Sequence, residues 1–284
     1  MPRRGTLGSL LALLLVGGCT ASPHQESPPV GYPFGGAGHV SAAEQAVLAS
    51  AEDLAVTDCM ARQGLTYLSR PVRPTPDPGN PYGLLSADDA RATGYGLNAL
   101  AARETTDPNT ALVARLDPPA QDHWRQVLLG TDRNLQKIVL SDGSIFSYRS
   151  DACTYQAHLR VVGPAWDALY MQVSAETAAF ADDVQADPRV TASHTAWSTC
   201  MRHRGYEFST LTDARQAASD KPLAQEREIA TADATCQQQS QMWPAITAAA
   251  TTLESRSQAL QARTQHLRTL RATAATTANT LLSR

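Results

Sequence analysis

The sequence predicts a mainly α-helical domain in two disulfide-tied halves, with one small β-hairpin and a long C-terminal helix. Three observations carry that reading. Hydrophobic residues make up 43 % of the 284-residue chain and aromatics only 6 %. Ala, Leu and Val therefore supply most of the apolar matter, and Ala and Leu are good helix formers and poor strand formers. Tyr155, Leu159, Val162, Trp166, Leu169, Val173, Phe180 and Val184 keep helical spacing. The motif Cys-Met-x-x-x-Gly occurs twice, from Cys59-Met60 to Gly64 and from Cys200-Met201 to Gly205. Each copy sets a cysteine about one turn before a glycine suited to the left-handed stop of a helix.

Residues 1–18 read as a targeting segment. Arg3-Arg4 form a basic start, Leu7 to Val16 an apolar run, and Val16-Gly17-Gly18-Cys19 follows. This is the order of a secretory signal peptide. It resembles a bacterial lipobox, which implies cleavage before Cys19 and a diacylglyceryl thioether on its sulfur. The apolar run is about half the roughly twenty residues that a membrane span needs, whereas two acyl chains on one residue anchor a protein stably. The expected location is the outer face of the cell membrane. Residues 19–40 are rich in Pro, Gly and Ser and lack periodicity. They read as a tether with a typical reach of about 25 Å.

The domain is expected over residues 41–284. Ser41-Ala-Ala-Glu44 is a capping-box sequence, and the helix it opens should run to Arg62. Residues 69–83 carry too many prolines for regular structure. Helical fragments follow around 86–104 and 118–129. Two apolar runs, Lys137 to Leu140 and Ile145 to Tyr148, flank an Asp-Gly turn and predict a hairpin, which needs helices beneath it to be stable. Gly163-Pro164 should split the next helix, and Asp187-Pro188 should punctuate the one after. Pro222 opens a helical arm over 222–284, interrupted at Pro244. In this arm Ile246, Leu253, Leu260, Leu267, Ala274 and Leu281 recur every seven residues. A second row of Ala250, Ser257, Thr264, Arg271 and Ala278 is small or polar. Two readings stay open for it: packing within the chain, or docking on a partner through Leu253, Leu260 and Leu267 with Arg256 and Arg263.

Besides Cys19 there are four cysteines. An even number in an exported chain implies disulfides, with three possible connectivities. The repeated motif selects Cys59–Cys153 and Cys200–Cys236. Pseudo-repeats over about 41–153 and 188–236 would then each join a helix-end cysteine to one near the start of the next long helix. The stretch Trp197-Ser-Thr-Cys-Met-Arg-His-Arg-Gly-Tyr206 with Ala232-Asp-Ala-Thr-Cys236 resembles a pattern in secreted actinobacterial lipoproteins without assigned function. So do Trp124 to Gly130, Leu140-Ser-Asp-Gly143 and Asp151-Ala-Cys153. The resemblance covers about residues 41–250 and brings no catalytic residues with it. Val56 stands where the second half has Trp197, so the halves are not equivalent.

The formal net charge of −3 gives no field that would steer the chain to nucleic acid. Seven histidines are present, none in a His-Glu-x-x-His pattern, and no cofactor or metal motif is found. His158 sits beside an apolar stripe and reads as a satisfied, half-buried residue. His194 and His203 flank Cys200, an arrangement for thiol chemistry that a disulfide at Cys200 removes. Asp88-Asp89 and Asp182-Asp183 are adjacent pairs whose side chains diverge on a helix, unlike the carboxylates of a glycosidase cleft. The expectation is a lipid-anchored envelope protein, a non-enzymatic interaction or scaffold module that contacts the membrane through Cys19 and an envelope protein as partner. Two alternatives stay open: a binder of a small extracellular ligand or peptide, and an envelope hydrolase.

Overall fold

The structure, a computed structural model, describes residues 32–36, 39–70, 72, 74, 80–98, 107–140 and 143–283. The predicted signal segment, Cys19 and the Ser141-Asp142 half of the hairpin turn lie outside these residues. Among the described residues there are eleven α-helices. They are α1 (Ala42–Arg62), α2 (Ala87–Thr93), α3 (Pro108–Val113), α4 (Pro118–Leu129), α5 (Cys153–Val162) and α6 (Trp166–Gln185). Then come α7 (Pro188–His203), α8 (Leu211–Ala218), α9 (Leu223–Gln239), α10 (Met242–Glu254) and α11 (Gln258–Leu282). Strands β1 (Leu135–Val139) and β2 (Ile145–Arg149) form the antiparallel hairpin, with Val139 opposite Ile145 and Leu135 opposite Arg149. Tyr148 of β2 stacks on Tyr155 of α5 at 4.0 Å between ring centres, which seats the hairpin on a helix.

The boundaries follow local chemistry. Asp107, Asp117 and Asp187 each cap a helix that starts at proline, where the missing N–H costs nothing. The Ser41 hydroxyl accepts the Glu44 N–H, while the Glu44 carboxylate pairs with Arg271 at 3.1 Å.

One half of the core gathers α1, α4, α5 and the end of α11 around Met60, Trp124, Val161, Trp166 and Leu267. The other gathers α7, α9 and α10 around Trp197, Met201, Met242 and Ile246, with α2 and α8 on its flank. Helices α6 and α11 join the two. Val173 of α6 lies in the first half and Phe180 and Val184 in the second. In α11 the order is reversed, from Leu260 to Leu267 and Ala278. The two helices therefore run side by side in opposite directions, and Arg263 of α11 pairs with Glu176 of α6 at 2.7 Å.

Both disulfides form as the repeat predicts, Cys59–Cys153 and Cys200–Cys236, each with 5.6 Å between Cα atoms. The hooks match closely. Met60 and Met201 are fully buried. The Leu65 N–H donates to the Met60 carbonyl and the Tyr206 N–H to the Met201 carbonyl, each at 3.0 Å. Gly64 and Gly205 take φ of 72° and 88°, the left-handed stop that lets those bonds form. The partner cysteines do not match. Cys153 opens α5, but Cys236 lies near the end of α9, not its start.

Two further expectations are corrected. The arm over 222–284 is three helices, not one interrupted at Pro244. The first break falls at Gln241, which has a left-handed φ of 56°. Proline lacks an N–H and its ring clashes with the carbonyl four residues earlier, so Pro244 displaces the break towards Ser240 and itself sits in the first turn of α10. The second break spans Ser255 to Ser257. The end of the expected tether is also docked. The Phe34 ring packs tilted against Phe180 at 5.0 Å between ring centres, and the Phe34 N–H donates to Glu254 Oε1 at 2.6 Å.

Candidate functional site

The residues proposed for partner docking do not form a free face. Leu260 and Leu267 are buried in the core, and Leu253 packs against it half-buried. Ala274 of the leucine row and Thr264 and Ala278 of the small or polar row are also buried, because small side chains let α11 lie close against α1, α5 and α6. Arg263 is held by Glu176, and Arg256 is exposed. Most of the leucine row is thus covered inside the chain, and of the five residues named for docking Arg256 alone is exposed.

A pocket of about 470 Å³ lies elsewhere, in the second half. Its floor is a buried network. Trp197 Nε1 and Gln237 Nε2 each donate to Asp233 Oδ1 at 2.9 Å, and the Tyr95 hydroxyl donates to Oδ2 at 2.8 Å. Asp233 and Gln237 stand one turn apart on α9, so they share a face. Gln237 also accepts the Leu85 N–H and donates to the Gly83 carbonyl. That locks the turn at 80–84, where Asn80 Oδ1 accepts the N–H groups of Tyr82 and Leu84. Gly83 has φ +72°, and a Cβ there would stand 3.2 Å from Leu211. Tyr95 arrives from the end of α2. A carboxylate fixes that connection too: buried Glu226 accepts the Leu97 and Asn98 N–H groups. A Cβ on Gly94 would stand 2.8 Å from Glu226 Cγ. On the far wall Thr210 and Asp213 form a reciprocal capping box at the start of α8 and present Ser209, Thr212 and Arg215 to the pocket.

The electrostatics follow from burial. Burial pushes the Asp233 carboxyl up, against the pull of its three donors. Burial and then the Asp233 charge hold the Tyr95 phenol far above its usual range. His194 also lines the pocket. Its Nε2 lies 2.8 Å from Gln185 Oε1, an acceptor, so this nitrogen carries the proton. Burial pushes the His194 pKa down. The ring is therefore neutral at pH 7, with Nδ1 as an acceptor. The pocket thus offers hydroxyl donors, an imidazole acceptor and a guanidinium within one concavity. Its volume falls within the about 300–1,000 Å³ of small-molecule sites.

No protein-family model, no curated protein and no solved structure matches this chain.

A second polar cluster ties the first half together. His158 of α5 sits between Glu52 of α1 and Asp167 of α6, with Nδ1 and Nε2 each 2.8 Å from a carboxylate. Tyr155 donates to the other Asp167 oxygen at 3.2 Å. With both nitrogens bonded to acceptors the ring is a cation with no lone pair to offer, so it clamps three helices and does not act as a base. Burial alone would push its pKa down. The hydrogen bonds and charges of Asp167 and Glu52 override that and push it up to about 9. Because the folded value exceeds the unfolded value of about 6.5, the clamp stabilises fully below about pH 6.5 and is lost as pH rises through about 9. After allowance for solvent screening the effect is about 1–2 kcal/mol. Urea unfolding at pH 6 and pH 10 should show this loss in the wild type relative to His158→Gln. An unchanged difference between the two proteins across that range contradicts the clamp.

Sequence reasoning left Tyr95, Asp233 and Arg215 unassigned. In the sequence Asp233 stands only within the Ala232-Asp-Ala-Thr-Cys236 motif. Its one signal is the one-turn spacing of Asp233 to Gln237 on the buried face of α9.

Proposed function

We propose that the chain is a lipid-anchored, extracytoplasmic binding protein that holds a small polar ligand in the pocket over Asp233. The observation that carries this is the pocket's construction. The 80–84 turn, the end of α2, α7, α8 and α9 are separate segments. Carboxylates and amides fix most of them from within, leaving hydroxyls, His194 and Arg215 directed at one space. Small-molecule sites are usually pre-formed concavities of this size in which a few placed polar groups fix the ligand's orientation, and rigid walls lower the entropic cost of binding. The leader ending at Gly17-Gly18-Cys19 and the two disulfides support an exported, anchored chain. The interaction-module reading is set aside because its leucine row packs internally.

A thermal-shift screen of the full chain against amino acids, small carboxylates, nucleosides and sugars tests the reading. A ligand present at a hundred times its Kd adds about 2.7 kcal/mol. For a domain of this size that raises Tm by about 5–10 °C. The rise should vanish in His194→Ala/Arg215→Ala. No shift across the panel, or a shift that survives both substitutions, counts against the pocket.

A further inference from the structure

A second concavity of about 480 Å³ lies on the outer side of the same half, between α2, the turn after α7 and α9. Three arginines from three elements line it: Arg91 on α2, Arg204 at the end of α7 and Arg227 on α9. Glu228 is the only acid among its lining residues. A chain with a net charge of −3 therefore concentrates positive charge here. The guanidinium of Arg204 makes no ion pair among the described residues. Arg91 pairs with Asp88, whose side chain is 93 % exposed, a pairing of little energy that an incoming anion can displace. Arg227 spends one NH2 group on the Ala92 carbonyl, which aims its fork while leaving its other donors. Thr231 and Tyr206 add hydroxyls. The frame is stiff. Cys200–Cys236 joins α7 to α9 within a few residues of Arg204 and Thr231, Tyr206 stacks on Phe208 at 5.6 Å, and the Tyr206 N–H closes the turn onto Met201.

We propose that this groove binds a phosphoryl group, recognised by the guanidinium groups of Arg91, Arg204 and Arg227. Guanidinium forks match the paired oxygens of a phosphate, giving short charge-assisted hydrogen bonds that a lysine cluster would not reproduce. Arg204 and Arg227 come from elements that the Cys200–Cys236 bridge joins, and Arg91 comes from α2, which packs on α9. The group belongs either to a soluble phosphate ester or to a phospholipid headgroup at the membrane surface. The groove is separate from the pocket over Asp233, and failure of one leaves the other intact.

The experiment uses the full chain and its Arg204→Gln/Arg227→Gln variant. Both substituted side chains are exposed, so equal melting temperatures check that the fold is kept. One arm titrates inorganic phosphate and glycerol 3-phosphate at low ionic strength and follows the Tyr206 and Thr231 amide resonances. The other measures co-sedimentation with vesicles of phosphatidylglycerol in phosphatidylcholine, against phosphatidylcholine alone. Saturable shifts at those amides, weakened at least about tenfold in the variant, support the soluble ester. Extra binding to the anionic vesicles that the variant loses supports the headgroup. Absence of both effects, or equal binding by wild type and variant in both arms, overturns the proposal. If the double variant fails to fold, Arg204→Gln alone gives the same comparison with about half the loss in binding energy.

Discussion

Removing the Cys59–Cys153 bridge as Cys59→Ala/Cys153→Ala should lower the unfolding free energy by about 2–4 kcal/mol. The bridge spans 94 residues in sequence and Cys200–Cys236 spans 36. Chain entropy alone assigns them about 4.7 and about 3.8 kcal/mol, because the cost of closing a loop grows only with the logarithm of its length. The longer bridge also holds α1 to α5 under the hairpin and lies in a cluster with Val56, Met60 and Trp124, so its loss loosens packing as well. For a domain of this size each kcal/mol moves Tm by about 2–4 °C. The expected fall is about 5–15 °C. The order of reduction is a second readout. Cys59, Cys153 and Cys236 are buried, whereas Cys200 is half-buried, so mild reductant should open Cys200–Cys236 first in the folded protein. Urea unfolding and peptide mapping after partial reduction check both. A stability loss below about 1 kcal/mol, or prior opening of Cys59–Cys153, would contradict this account.

The second large effect is expected at Asp233, whose carboxylate takes donors from Tyr95, Trp197 and Gln237 while only 1 % exposed. Asp233→Ala removes the acceptor and leaves three buried donors unmet. Each such group costs about 1–3 kcal/mol, and because they share one acceptor the total should reach about 4 kcal/mol, not the full sum. Trp197→Phe keeps most of the buried ring and removes one donor, for about 1–2 kcal/mol. Trp197→Ala empties a fully buried site and costs about 3–5 kcal/mol. The order is the test: Asp233→Ala and Trp197→Ala should both unfold well before Trp197→Phe. Calorimetry in which Asp233→Ala is milder than Trp197→Phe would show that the network does not hold the second half.

The long helices and the bridges were legible because local rules write them: Asp187-Pro188 marks the start of α7, and the Cys-Met-x-x-x-Gly hooks mark two ends that fold alike. The short helices α3 and α8 were not expected, although Asp107-Pro108 caps the first of them. The broken arm was half-legible. Pro244 announced a break, but a proline acts on the carbonyl one turn back, so the chain turns at Gln241. The heptad rows left open whether the stripe packs within the chain or on a partner, because periodicity cannot say which chain supplies the covering surface. The pocket was not legible. Tyr95 and Asp233 are 138 residues apart, and neither carries a motif. Buried Asp233, Glu226 and Asp53 look like solvated acids in a sequence. Only the fold brings each its donors, as when Asp53 accepts the Tyr67 and Ser69 hydroxyls and the Arg70 N–H.

The proposal of an anchored ligand-binding protein meets its most direct test in native mass spectrometry of the full chain released gently from its own membrane. The account predicts a wild-type mass that carries the lipid on Cys19 and a bound small molecule. It also predicts loss of that molecule alone in His194→Ala/Arg215→Ala. A wild-type chain that leaves the membrane without lipid or small molecule, and bound to another polypeptide, would contradict it.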